Sequence, residues 1–401
     1  MAPGVDSAFD LVDPLRLYER GSAKWSAGPT LLSAGLAEMD FDPPAVVSDV
    51  LIDHVRRGDL GLSHPRAVDA VTRAFLDWAA SRWGWDIEPT RVVPMADVMR
   101  VLDFCLQHLT TPRTPVIVPT PGFPPFLSVP HDWNRPVVES PMADDHGRWR
   151  LDLDHLEQCF RAGAELLILC NPHNPLGSVL NHSEMLDLAE VVDRHGATVF
   201  ADEIHAPLMH SNAREGVGQR FVPYASSSAT AAAHTVTGTS AGKGWNIGGV
   251  KCALMVLPDE GKRIWASTSG VMAHGTSTLG MWATAAAFSQ AEPWLDAVLA
   301  QLEESRHLLA DLVAEHLPGV RYRAPEATYL AWLDFRQTAV AGSASVFMRE
   351  HAKVIVEDGR QYGAGGEGHV RLNFATSHSL LTEIVTSMGT ALDGAGTAPT
   401  S

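Results

Sequence analysis

Lys243 stands in the stretch Thr239-Ser240-Ala241-Gly242-Lys243-Gly244-Trp245-Asn246, a lysine set among small residues. A lysine that forms an imine needs a short, crowded approach to a flat partner. Ser240 and the two glycines leave room there for a phosphate and a ring. A surface lysine beside glycines reads the same way in isolation, so the weight of the stretch comes from what accompanies it. Asp202 opens Asp202-Glu203-Ile204-His205 directly after an apolar run. Alone, such an aspartate is a helix N-cap or a metal ligand as readily as anything rarer. With Lys243 and Asn174 on neighbouring strand ends a third reading arises. An ionised carboxylate can pair with a protonated pyridine nitrogen, Asn174 can donate to a phenolate oxygen, and Lys243 can supply the imine. Those are the groups that make pyridoxal phosphate an electron sink.

Such groups have to be placed by strands, and the chain supplies strands in alternation with helices. Val116-Ile117-Val118, Leu166 to Cys170, Thr198 to Ala201, Thr235-Val236-Thr237 and Cys252 to Val256 read as strands. The first runs on to Thr120-Pro121-Gly122-Phe123, the second to Asn171-Pro172-His173-Asn174-Pro175-Leu176-Gly177, the third to Asp202 and the fourth to the lysine stretch. Continuous apolar strands between helices predict an α/β fold with a parallel or mostly parallel sheet covered on both faces. Ligands of such sheets bind at the carboxyl ends of the strands. Helices are expected over 45–57, 67–83, 99–108, 183–195 with Ser183 as N-cap, and 293–316. Where the strand over 92–98 passes into the helix from Met99, helix N-terminal amides can take a phosphate. Strands over 329–334, 354–356 and 369–374 predict a second, smaller α+β unit, with the glycines between Gly359 and Gly368 forming a loop just before Arg371.

A chain of 401 residues and 43.2 kDa has length for one large and one smaller domain. The net charge of −17, with no dense Lys/Arg cluster, argues against nucleic-acid partners and anionic membrane surfaces. No apolar run reaches about 18 residues, so no membrane span is expected. Residues 1–13 carry no signal-peptide pattern. Cys105, Cys159, Cys170 and Cys252 form no C-x-x-C pair and sit in apolar surroundings, which points to reduced core residues in a cytoplasmic protein. Residues 394–401 read as a frayed tail.

The motifs Met39-Asp40-Phe41 followed by Pro43-Pro44, Asn171-Pro172-His173-Asn174-Pro175-x-Gly177, Asp202-Glu203-Ile204-His205, Lys243-x-x-Asn246, Thr328-Tyr329-Leu330-Ala331-Trp332-Leu333-Asp334 and Val370-Arg371-Leu372-Asn373 occur in that order over nearly the whole chain. In this the chain resembles the fold-type I, class I/II aminotransferase-like enzymes, and within them the cystathionine β-lyase, or cysteine C–S lyase, branch that includes MalY and PatB. The resemblance implies a large pyridoxal-phosphate-binding domain over 46–288 and a small domain from 1–45 and 289–393. It implies a homodimer with the active site at the subunit interface, the region from Gly61 to Arg66 reaching into the partner's site. By position, Lys243 would hold the cofactor as an imine and move the proton at Cα, Asp202 would pair with the pyridine nitrogen, and Asn174 and His205 would lie near the 3-oxygen. Ser240, Lys251 and the amides of Asp97 and Val98 would hold the phosphate, Phe123 would stack on the ring, and Arg371 would take the substrate α-carboxylate as a bidentate pair.

The chain also departs from the family pattern. Phe123 stands where relatives carry Tyr, Gly61-Leu62 replaces a Gly-Tyr pair, Leu176 replaces Thr, Gly242 replaces Ser, and Lys251 stands where many relatives use Arg. Two phenol donors are missing from their family places. β-Elimination survives their loss, because a thiol with a reference pKa of about 8.5 leaves without a general acid. The expected reaction is cleavage of a cysteine S-conjugate to a thiol, pyruvate and ammonia. Decarboxylation with dioxygen-dependent conversion to an aldehyde, as the resemblance to enzymes of lincosamide antibiotic assembly implies, is the alternative, followed by transamination. A regulator that binds the cofactor without turnover is disfavoured by the presence of both Lys243 and Arg371.

Overall fold

The computed structural model describes Phe9 and residues 11–145, 148–210 and 220–396. Seven strands form the main sheet: Val92–Met95 (β1), Val116–Thr120 (β2), Val137–Pro141 (β3), Leu166–Cys170 (β4), Thr198–Asp202 (β5), Thr235–Thr239 (β6) and Ala253–Val256 (β7). Their order is β1-β7-β6-β5-β4-β2-β3. β7 runs antiparallel to both neighbours and every other adjacent pair is parallel. The apolar runs explain the layering, since alternate residues of a strand face opposite sides. Val116, Val118, Leu166, Ile168, Phe200 and Val236 pack on one side with the helix Val98–His108. Ile117, Leu167, Leu169, Val199 and Ala201 pack on the other with the helices Leu153–Arg161 and His182–Arg194. The sheet is therefore buried on both faces, and its polar residues are left at the strand ends.

Helix starts follow capping chemistry more closely than apolar spacing. The helix expected from Ser183 begins at His182 and is capped by Asn181, whose Oδ1 accepts from the Glu184 N–H at 2.9 Å while Glu184 Oε2 accepts from the Asn181 N–H at 2.9 Å. Ser183 lies inside the first turn, one residue past the helix start, and its hydroxyl donates to Asn181 Oδ1 at 2.7 Å. Asp97 caps Val98–His108 through a 3.0 Å bond from the Arg100 N–H, one residue earlier than expected. The helix expected over 67–83 runs from Pro65 to Trp78 and continues as a wide π-type turn to Trp83.

A second sheet of four antiparallel strands, Arg321–Tyr322 (β8), Leu330–Asp334 (β9), Glu357–Asp358 (β10) and His369–Asn373 (β11), has the order β8-β9-β11-β10. The expected strand over 354–356 is not part of it. Val354–Ile355 pairs parallel with Leu32–Ser33 instead and ties the N-terminal segment down. The helix Glu292–His316 packs on the last helix, His378–Gly396. That last helix includes residues 394–396, which were expected to begin a frayed tail; the rest of that expectation lies outside the described residues. Among the described residues no helix is long and apolar enough to cross a membrane.

Candidate active site

Three adjacent strand ends and one strand of the second sheet deliver the chemistry-bearing side chains. β5 ends on Asp202, β4 leads into the turn that carries Asn174, and β6 leads into Ser240, which caps the short helix Ala241–Gly244 holding Lys243. Arg371 comes from β11. The turn after β4 closes at Gly177, whose φ of +65° suits glycine and whose added Cβ would lie 2.3 Å from Pro325 Cβ.

The residues singled out in the sequence converge. Arg371 is buried and donates from Nη1 to Asn174 Oδ1 at 3.1 Å and from Nη2 to the Gly35 carbonyl at 2.9 Å, and its Nε is buried with no partner. With Oδ1 of Asn174 so engaged, Nδ2 is left as the donor. Lys243 Nζ donates to the Ala37 carbonyl. Burial, joined by the positive charges of Arg371 and Lys251 and opposed by Glu38 and Asp202, brings its pKa down to about 8. Burial likewise pushes Asp202 up to about 6, against the 3.0 Å hydrogen bond from the Ile204 N–H and the charge of Lys243. His205 is buried with Nδ1 unpartnered, and burial with the charges of Lys243 and Arg371 holds it neutral. Glu203 is not part of this group: its Oε1 accepts from the Tyr224 N–H at 2.7 Å, which anchors a neighbouring turn.

A second cluster gathers at the amino ends of the helices that follow β1 and β6. Lys251, 57% exposed along its side chain, lies 3.5 Å from Asp97 Oδ2, and Ser240 Oγ donates to Cys252 O at 2.8 Å while accepting from the Gly242 N–H. A Cβ added at Gly242 would come within 3.3 Å of both Gly248 Cα and Ser240 Oγ. A side chain at this position would need Gly248 or Ser240 to give by a few tenths of an ångström. Phe123 sits half-buried, edge-on to Phe126 at 5.3 Å. Leu176 is buried against Met142, Trp332 and Tyr362. Leu62 stands apart from the cluster, 97% exposed.

Three sets of contacts have no role assigned from the sequence. Tyr329 is fully buried and donates from Oη to the same Ala37 carbonyl at 3.1 Å. Tyr362 lies beneath the Arg371 guanidinium, 5.5 Å from it. The segment from Gly35 to Phe41 is bolted over Lys243: Asn373 Nδ2 donates to Leu36 O and Glu38 O, each at 2.7 Å, and Asn246 Nδ2 to Met39 O and Phe41 O at 3.0 and 2.8 Å. Beneath it the buried pair Lys24–Asp40, 2.9 Å apart, with Trp25 Nε1 on the other carboxylate oxygen at 2.7 Å, fixes the turn. The sequence signals for these contacts are the motifs Met39-Asp40-Phe41 and Thr328-Tyr329-Leu330, and the recurrence of Asn246 and Asn373 three and two positions after Lys243 and Arg371.

Residues 30–388 match the family described as aminotransferase class I and II. The chain belongs to that family. Among its aminotransferase class I and II relatives, a Mycobacterium tuberculosis protein provisionally named a cystathionine β-lyase is 39% identical over 402 residues, covering 93% of this chain and 95% of the relative. Cystathionine β-lyase PatB of Bacillus subtilis is 32% identical over 374 residues, covering 90% and 94%. A crystal structure from Corynebacterium diphtheriae, provisionally described as a pyridoxal-phosphate-dependent β-cystathionase, superposes with a TM-score of 0.88 at 34% identity, covering 94% of this chain and 97% of that one. The expected family and its fold-type I architecture are thereby established for this chain.

Proposed function

We propose that this chain is a pyridoxal-phosphate-dependent carbon–sulfur β-lyase that converts a cysteine S-conjugate and water to a thiol, pyruvate and ammonia. The observation that carries the reading is the group formed by part-buried Lys243 with buried Asp202, Asn174 and Arg371. Its composition fits the cofactor. Asp202 has one oxygen that takes no hydrogen bond from the described residues, at the position where a ring cation would offset its burial. Asn174 Nδ2 and neutral His205 suit the 3-oxygen, and Ser240, Lys251 and the amides of Asp97 and Val98 suit the phosphate, with Phe123 against the ring. When bound, the cofactor withdraws electrons from the bonds at the substrate's Cα.

The side chains account for the remaining steps. Arg371 offers a guanidinium fork to the α-carboxylate, held in orientation by Asn174, Gly35 and the Tyr362 ring. Lys243, with a pKa near 8, takes the proton from Cα as a neutral amine. The thiolate leaves from Cβ without a phenol at Phe123 or Leu62. The named relatives, a cystathionine β-lyase among them, support this class of reaction.

Exposed Ile52, Val55, Leu60 and Leu62 support a homodimer in which the Gly61 to Arg66 region meets the partner's site. In this reading residues 46–288 form the large domain, and residues 1–45 with 289–393 form the small one that closes over substrate. The four cysteines, all buried and unpaired, suit a reducing compartment, the cytoplasm. The missing hydroxyls at Phe123 and Leu62 favour, as the second reading, loss of the α-carboxylate with oxygen uptake to give an aldehyde. Incubating the cofactor-loaded protein with S-methylcysteine separates the two. Pyruvate and methanethiol without oxygen uptake support the lyase; aldehyde and carbon dioxide with oxygen consumed overturn it.

A further inference from the structure

The Ala37 carbonyl oxygen accepts from two side chains that are remote in sequence, Lys243 Nζ and Tyr329 Oη. A carbonyl has two lone pairs, so both are in use. That oxygen is also held in place on either side, by Arg371 on Gly35 O and by Asn373 on Leu36 O and Glu38 O. Tyr329 sits at the head of β9, after Thr328, whose φ of +72° turns the chain into the strand. Its ring is fully buried and edge-on to His205 at 5.9 Å. Around the lysine stand Glu38, Asp202, His205, Arg371 and Lys251, and no hydrogen bond links any of these side chains to the Ala37 carbonyl. The phenol is thus close to Lys243 although Phe123 and Leu62 carry no hydroxyl.

We propose that Tyr329 is a positioning residue for Lys243: its hydroxyl fixes the Ala37 carbonyl, and that carbonyl holds the lysine amine where it meets the cofactor's aldehyde and where it rests when substrate has displaced it. The bond formed is the imine between Lys243 Nζ and the aldehyde carbon, with water leaving; Tyr329 gains and loses no proton. This rests on the cofactor part of the proposed function and is independent of the identity of the sulfur substrate.

The test is reconstitution of the apo-protein with pyridoxal phosphate, followed by stopped-flow absorbance, for the unaltered chain and Tyr329→Phe. The variant should keep its fold, because Ala37 O retains Lys243 as donor. Imine formation should slow about tenfold, the size of effect expected for one misplaced hydrogen bond. With a cysteine S-conjugate, kcat should fall by a similar factor and KM stay within about twofold. In a double-mutant cycle, Tyr329→Phe should weaken cofactor affinity when Lys243 is present and leave it unchanged in the Lys243→Ala background. Equal imine formation rates, an equal effect in both backgrounds, or loss of the fold would each overturn the proposal. Lack of turnover by an unaltered chain that still forms its imine would count against the lyase reading alone.

Discussion

Arg371 and Asn174 lie 197 positions apart and are joined by a 3.1 Å hydrogen bond from Nη1 to Oδ1. One belongs to the small sheet and the other to a turn at the end of a strand of the large one. Each orients the other, so the proposed carboxylate grip and the proposed donor for the cofactor's 3-oxygen would act as a single unit. Arg371→Ala should raise KM for a cysteine S-conjugate by roughly 30-fold or more, as for a charged bidentate contact worth about 2–5 kcal/mol. Steady-state kinetics beside a cofactor titration checks this; unchanged KM rejects the role.

Capture of pyridoxal phosphate by the apo-protein needs a neutral Lys243 amine. Its folded pKa of about 8 lies below the free lysine value, so the neutral fraction grows with rising pH and is nearly complete above about pH 9. The rate of imine formation should therefore climb between about pH 7 and 9 and then level off. Arg371→Ala removes the largest charge that depresses the amine and should move the midpoint to higher pH. A flat profile across that range contradicts the assignment.

Asp40→Ala leaves the Lys24 ammonium buried with no carboxylate beside it. Breaking a buried pair from one side costs about 3–5 kcal/mol. Urea denaturation of the apo-protein should show that loss, and the Lys24→Met, Asp40→Leu double variant should recover much of it. A loss below about 1 kcal/mol would mean that the pair is hydrated in solution.

Gly242→Ser restores the family residue but inserts a Cβ within 3.3 Å of Gly248 Cα. Overpacking of this kind costs about 1–3 kcal/mol. The expected outcome is weaker cofactor binding, by about tenfold, measured by equilibrium titration. Binding at full strength would show that the lysine helix relaxes freely.

Phe123→Tyr, combined with Leu62→Tyr, returns both missing phenols to their family places. If their absence permits the oxidative outcome, the double variant should yield less aldehyde relative to pyruvate. Product analysis under air decides; an unchanged ratio detaches the phenols from reaction choice.

The large sheet was legible because a strand buried on both faces has to be apolar throughout, as Leu166 to Cys170 is, and because its polar continuation, Asn171 to Gly177, marks the ligand-binding end. Lys243, Asp202, Asn174 and Arg371 were legible as chemical types with few other uses in that company. What stayed hidden depends on contacts between distant segments. Nothing local to Ala37 shows that its carbonyl serves a lysine and a tyrosine, and Tyr329 reads as one more apolar strand residue. Ser183 suggests a cap because serine is a common one, whereas the reciprocal bonds of Asn181 and Glu184 decide the start.

From Gly35 to Phe41, the carbonyls of residues 35 through 39 and of residue 41 all accept hydrogen bonds from side chains. The path of this strip is written by Arg371, Asn373, Lys243, Tyr329 and Asn246 more than by its own residues. Mutational tolerance should therefore be displaced from the place where the shape is needed. Exchanges at exposed Leu36 or half-exposed Ala37 leave these acceptors intact, whereas Asn373→Leu, hundreds of positions away, strips the strip of two of its donors at once.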